Sequence, residues 1–143
     1  MSELEGSMID HLNLPVGDLA RAVAFYTEAL APLGIHTVME VPADPGSGQK
    51  AMHAFGAGPK PFFWVIEAGH DVRHDTDTHL AFTAPDRETV DAFWAAALAA
   101  GATPLRPPGL CPEYHSDYYG AFAGDPDGIN VEAVCHRAPH PPR

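Results

Sequence analysis

Positive charge is the scarcest resource in this sequence. Eight Lys and Arg stand against 19 Asp and Glu, a formal net charge of −11. A chain this acidic, with no basic stripe, repels phosphate backbones and anionic lipid headgroups, so neither nucleic acid nor a membrane surface is expected as a partner. Cysteine is rarer still among single residue types. Cys111 and Cys135 are the only two, too few for a disulfide framework, which suits a reducing cytoplasm. No apolar run approaches the roughly 20 residues of a membrane span. The opening "MSELEGSMID" has neither a basic n-region nor an apolar h-region, so no signal peptide is expected. What remains is a chain of 143 residues, 45% hydrophobic. That is enough for one compact domain with a core, or for two small modules that share one.

The chain contains itself twice. "HLNLPVGDLARAVAFYTEALA" from His11 aligns without a gap on "HLAFTAPDRETVDAFWAAALA" from His79, an offset of 68. The offset pairs His11 with His79, Leu12 with Leu80, Asp18 with Asp86 and Tyr26 with Trp94. An ungapped match of this length marks a duplication. Each copy opens on an alternating segment, "MIDHLNLPV" or "DTHLAFTAP", which predicts a strand. A helix follows, with Asp18 or Asp86 as N-cap and Gly34 or Gly101 as terminator. Its apolar face runs through Val23, Tyr26, Leu30 and Leu33 in the first copy, and Val90, Phe93, Trp94 and Leu98 in the second. Three further strands are predicted in each copy: "IHTVMEV", "KAMHAFG" and "PFFWVIE", then "ATPLR", "YYGAFAG" and "INVEAVC". The fold class is therefore α+β. Two pseudo-twofold-related βαβββ modules, 8–67 and 78–135, form one domain over 8–136 with a flexible tail at 137–143. Together they are expected to form a cupped, mostly antiparallel mixed sheet around a cavity.

Strand parity then selects what faces that cavity. Leu12, Leu14 and Val16 fall in one row, under the helix, and His11 and Asn13 in the other. In the second copy Leu80 and Phe82 pack inward, leaving His79, Ala81 and Thr83 opposite. In the last strand Val131, Ala133 and Cys135 form the apolar row, while Asn130 and Glu132 share the other. Two imidazoles and one carboxylate on one cavity make a facial triad. Such a set suits one divalent ion, Fe, Mn, Ni or Zn, with positions left for water or substrate. It also explains a carboxylate inside an apolar strand, since a divalent cation would neutralise Glu132.

The other seven histidines carry weaker signals. His70 and His74 in "HDVRHD" read as a solvated loop; His36 and His53 sit on middle strands without a placed partner; His136 and His140 belong to the tail. His115, in the aromatic loop "EYHSDYYG", is balanced between a surface residue and a gate over the ligand.

With "IDHLNLPVGDLARAVAFY", "THLAFTAPD" and "FAGDPDGINVE" in order on a duplication, the sequence resembles the vicinal oxygen chelate superfamily over residues 8–136. That superfamily includes glyoxalase I, bleomycin-resistance proteins, fosfomycin-resistance transferases and extradiol dioxygenases. The resemblance implies paired βαβββ modules, frequent homodimers, and a divalent metal at the positions of His11, His79 and Glu132. Glyoxalase I carries a fourth ligand, a Glu, where the offset from Glu132 places Trp64; Glu67 lies on the opposite strand face. Extradiol dioxygenases carry a Tyr where Phe122 stands, and Arg106 is the only cation near the second module's site. The resulting expectation is a metalloenzyme in which the ion, with Glu132 as catalytic carboxylate, binds adjacent oxygens of a small substrate. Trp64, Tyr118 and Phe122 would form apolar cavity wall, and Tyr114 and His115 a covering loop. The alternative is a metal-free protein that sequesters a drug or metabolite, as in the bleomycin-resistance branch.

Overall fold

The computed structural model describes residues 6–139 and 141, so His140 and part of the tail at 137–143 lie outside the described residues. The elements follow in the order β1 (Leu12–Val16), α1 (Leu19–Leu30), β2 (His36–Val41), β3 (Met52–Gly56) and β4 (Phe63–Glu67). The second module repeats them as β5 (His79–Thr83), α2 (Arg87–Ala99), β6 (Thr103–Leu110), β7 (Tyr119–Gly124) and β8 (Asn130–Cys135). Two four-stranded sheets result, in the orders β1-β4-β3-β2 and β5-β8-β7-β6. In each, the outer strand runs parallel to its neighbour and the other three are antiparallel. The register repeats where each outer parallel strand meets its neighbour. Asn13 lies opposite Trp64 in the first sheet, and 68 residues on Ala81 lies opposite Glu132 in the second.

The helices start where the sequence indicates. Asp18 accepts from the Arg21 backbone N–H at 3.1 Å, and Asp86 from that of Thr89 at 2.8 Å, satisfying donors that a helix start leaves unpaired. The Leu19 N–H is held as well, by Glu67 Oε2 at 2.7 Å. A 3-10 turn over Ala31–Leu33 tightens the end of α1, and Gly34 leaves it at φ +75°, a conformation glycine adopts without the Cβ penalty.

Three boundaries or faces differ from the sequence pattern. β1 begins at Leu12 rather than Met8, because β4 offers paired backbone only from Phe62–Phe63 onward. β6 runs to Leu110, through Pro107 and Pro108. It is an edge strand, paired only with β7 and with its register shifted around Arg106, so an absent N–H need not break a ladder. The buried faces of the helices are also rotated. Ala22, Phe25 and Ala29 are buried in α1 and Ala97 in α2, whereas Leu98 is exposed. Their expected apolar faces look only at the sheets, but α1 also packs against α2.

That helix–helix contact sets the plan of the molecule. Leu14, Val16, Phe63 and Val65 of the first module share one core with Phe82, Val90, Phe93 and Val131 of the second. Phe63 and Phe82 meet edge to face across the junction at 5.4 Å between ring centres. A polar clamp reinforces it. Buried Tyr26 on α1 donates its hydroxyl to Asp125 at 2.5 Å, and Asp125 also accepts from the backbone of Asp127 and Ile129. The turn "DPDG" thus acts as a socket for the other module's helix. Burial raises the Asp125 carboxyl above the usual range and lifts the Tyr26 phenol as well. The sheet faces away from this core are open: Asn13, His79, Ala81 and Thr83 are all exposed.

Candidate functional site

Four predicted residues come together on the open face of the second sheet. Glu132 on β8 is 1% exposed, among the most deeply buried side chains in the chain. Both its oxygens are engaged. His79 Nε2, from neighbouring β5, meets Oε1 at 2.8 Å, and the Tyr118 hydroxyl donates to Oε2 in a short hydrogen bond. A buried carboxylate with two donors avoids the penalty of an unpaired one. The His79 ring is held from its flat side by Phe122, stacked at 5.8 Å and 19°. Phe122 lies opposite Glu132 across β7–β8, so its presence on this face follows from register.

Tyr118 is therefore more than apolar wall: its phenol is a donor that fixes Glu132. Burial, and then the carboxylate it bonds, push that phenol well above its ordinary pKa, so it stays protonated. Gly120, two residues on and on the same face, makes the room. A Cβ there would stand 2.9 Å from Glu132 Oε2 and 3.2 Å from the Tyr118 ring. Tyr114 packs against the Tyr118 ring, tilted at 46° with 4.7 Å between ring centres. His115 packs on it edge-on, accepts from the Asp117 N–H at Nδ1, and shares a 3.0 Å hydrogen bond with His136. Because His115 Nδ1 accepts, its Nε2 carries the proton and donates to His136 Nδ1. Both residues of the expected covering loop thus brace Tyr118.

His11 and Trp64 lie elsewhere, on the open face of the first sheet. His11 is exposed and bonded to Asp10 at 2.7 Å, and Asp10 also pairs with Lys60 at 2.6 Å. Trp64, half-buried, lines a hollow of about 320 Å³ with His11, Asn13 and Lys60. A second hollow, of about 290 Å³, runs from His11 and Leu12 to Ala81 and Thr83, where the outer strands of the two sheets approach one another. Among the described residues, no three His, Cys, Asp or Glu side chains stand close enough to hold one ion. Within one chain, then, His79 and Glu132 meet and His11 does not join them.

The pair that does meet fits a metal. His79 Nε2 and Glu132 Oε1 are 2.8 Å apart. Two adjacent ligands at right angles on an ion, with bonds of about 2.1 Å, would be separated by roughly 3 Å. Imidazole nitrogen and carboxylate oxygen are also the donor types that first-row divalent ions take.

One residue expected only as a nearby cation also joins this face. Arg106 on β6 lies opposite Phe122 and places its guanidinium 5.8 Å from the centre of that ring. Its Nη1 donates to Glu113 at 2.5 Å, a bond that raises the arginine pKa and lowers that of the glutamate. The signal that puts Arg106 on this face is its register across β6, which the shifts around it hide.

The remaining histidines resolve individually. His74 bonds the Pro15 carbonyl at 2.8 Å, tying its loop to β1, while His70 is exposed. His53 is buried on β3 with Nε2 on the Thr37 hydroxyl at 2.8 Å.

Comparison with known proteins agrees with this fold. Residues 8–133 match the sequence model of the family described as the Glyoxalase/Bleomycin resistance protein/Dioxygenase superfamily. Among curated proteins, no sequence matches. Among solved structures, a glyoxalase/bleomycin resistance protein from Albidiferax ferrireducens is 30% identical, with a TM-score of 0.72 over 92% of this chain and 100% of that one. A glyoxylase/bleomycin resistance protein/dioxygenase domain from Frankia sp. shares the fold at 22% identity, with a TM-score of 0.70 over 96% of each chain. A glyoxalase I mutant from Zea mays is 26% identical with a TM-score of 0.68, and the match covers 91% of this chain but 44% of that longer one. With the family match spanning both modules and a 30%-identical relative covered from end to end, this chain belongs to the glyoxalase/bleomycin resistance protein/dioxygenase superfamily.

Proposed function

We propose that this protein is a metal-dependent enzyme that binds a small molecule through two neighbouring oxygens. One divalent ion is held by His79 and Glu132 of one copy and His11 of a second. The observation that carries the reading is Glu132: a carboxylate 1% exposed, flanked by Val131 and Ala133 on its strand, bonded to an exposed imidazole. Support for a second copy comes from the shared core. The helix-covered faces of the two sheets look toward each other, so the open faces carrying His11 and His79 look outward. Two copies of the chain, related by a twofold axis, can set the first open face of one against the second open face of the other.

When bound, the ion supplies positive charge that stabilises negative charge building on substrate oxygens. The chain's own residues do the rest. Tyr118 keeps Oε2 of Glu132 occupied, leaving Oε1 as the oxygen directed at His79 and the open face. Phe122 fixes the plane of the His79 ring and gives the substrate an apolar floor. Trp64 occupies the position equivalent to Glu132 in the first sheet and brings no second carboxylate. Proton shuttling between two carbons by a pair of facing carboxylates, as in glyoxalase I, is therefore not supported. Turnover of the hemithioacetal of methylglyoxal and glutathione should be negligible.

Elemental analysis of protein purified without chelator tests the reading. One divalent ion per chain is expected in the wild type and almost none in Glu132→Ala. A wild type that binds a small-molecule ligand equally well with and without added metal would instead establish a metal-free binding protein.

A further inference from the structure

Arg106 is a charged group on the second open face that the His79–Glu132 pair does not explain. It is part of a row running across all four strands of the second sheet: the Arg106 guanidinium lies over Phe122, Phe122 stacks on His79, and His79 bonds Glu132. A single aromatic ring thus separates the cation from the imidazole. The guanidinium is also oriented. Glu113 takes Nη1 alone, and no described residue accepts from Nε or Nη2, neither of which is a buried unsatisfied atom. Nε–H and Nη2–H form the side-on fork of an arginine, two parallel donors that match the two oxygens of a carboxylate. Glu113 on one edge and Phe122 on one face restrict that fork, although the Arg106 side chain is 42% exposed, and restriction before a ligand arrives reduces the entropy lost on binding.

We propose that Arg106 is the anion-binding residue of this site, and that the substrate carries a carboxylate at the end remote from its metal-chelating oxygens. The inference rests on the proposed-function reading that the open face around His79 and Glu132 is the substrate site. It adds a requirement that reading does not contain. The substrate lies across Phe122, chelating oxygens toward Glu132 and anionic end on the Nε/Nη2 fork. The chain's net charge of −11 repels anions at long range, so selectivity for one must come from a local, geometrically matched contact of this kind.

Calorimetric titration of Mn(II)-loaded protein with three hydroxamates tests this. Each presents two adjacent oxygens to a metal. Butyrohydroxamate ends in a methyl group, whereas the monohydroxamates of succinate and glutarate end in a carboxylate at two different reaches. At least one carboxylate-tailed probe should bind about tenfold or more tighter than butyrohydroxamate, the scale of a charge-assisted hydrogen-bond pair. Arg106→Gln should remove that preference and leave butyrohydroxamate affinity within about twofold. Glu113→Gln, whose amide oxygen can still accept from Nη1 while the competing negative charge is gone, should keep or enlarge the preference. Loss of the preference in Glu113→Gln as well as in Arg106→Gln would show that Arg106 merely anchors its loop, and would overturn the proposal. So would equal binding of all three probes to the wild type, which leaves the metal reading intact provided Glu132→Gln abolishes binding of butyrohydroxamate. If butyrohydroxamate binding does not depend on Glu132, the metal reading fails and this inference fails with it.

Discussion

Gly120 shows how much of the site depends on an absent atom. Its backbone is ordinary, but a methyl group there would stand 2.9 Å from Glu132 Oε2. Gly120→Ala must therefore push the carboxylate off the Tyr118 hydroxyl or shift β7. Overpacking of this kind costs about 1–3 kcal/mol. Urea melts should show that loss, and metal titration should show weakened binding, because the displaced oxygen is no longer held. Retention of wild-type metal affinity by Gly120→Ala would contradict the role given to the Tyr118–Glu132 bond. A second residue-scale prediction concerns pH. Burial lowers the His53 pKa from 6.5, with Glu40, 3.6 Å away, opposing the shift. The folded state therefore resists the proton that the unfolded chain accepts below 6.5. Stability from this residue is fully present above that value and is lost as pH falls through 6.5 toward the native pKa. Chemical denaturation at pH 7.5 and pH 5.5 should show a larger loss in the wild type than in His53→Gln. An equal loss in both would place the acid sensitivity elsewhere.

At the scale of elements, the two helices were the most legible parts of the chain, since caps and terminators are local chemistry. Asp18 and Asp86 bond the donors expected of them. Their consequences differ all the same. Asp86 also bonds the Thr89 hydroxyl at 2.6 Å, whereas the start of α1 has a second anchor in Glu67. Asp86→Ala should cost about 1 kcal/mol, a typical loss for an N-cap, and Asp18→Ala less, as read by the shift in denaturation midpoint at constant slope. Strands were legible in position but not in extent. β6 gained four residues and β1 lost four because a strand lasts only as long as its neighbour's backbone, and that neighbour is distant in sequence. The candidate site divides the same way. Parity put Glu132 and His79 on one face, but the Tyr118 hydroxyl reached Glu132 through cross-strand register, and side-chain type alone had suggested only apolar wall.

For the whole molecule, the decisive fact is that the sheets share their helix-covered faces. If the metal site is completed by a second copy, it should be recoverable from two broken chains. A mixture of His11→Ala and His79→Ala chains, unfolded and refolded together, should form mixed dimers with one intact site, made of His11 from one variant and His79 with Glu132 from the other. Neither variant alone should bind stoichiometric metal, whereas the mixture should approach a quarter of the wild-type content if pairing is random, since half the dimers are mixed and each carries one of two sites. A mixture no better than its components would mean that the ligands do not meet across a dimer.

The sequence by itself determined the duplication, its offset of 68, the βαβββ order, the caps and the inward rows of β1, β5 and β8, except that Leu12 at the open start of β1 is 41% exposed. These rest on periods of 2 and 3.6 residues and on capping within one turn, interactions between near neighbours in the chain. Tertiary structure alone decided how the two modules sit. Both amphipathic helices and both sheets carry apolar faces that a partner must bury, and the periodicity of one face does not say which other face it meets. Packing α1 against α2 turned the open faces outward, which parted His11 from His79 and left Glu132 between an imidazole and a phenol.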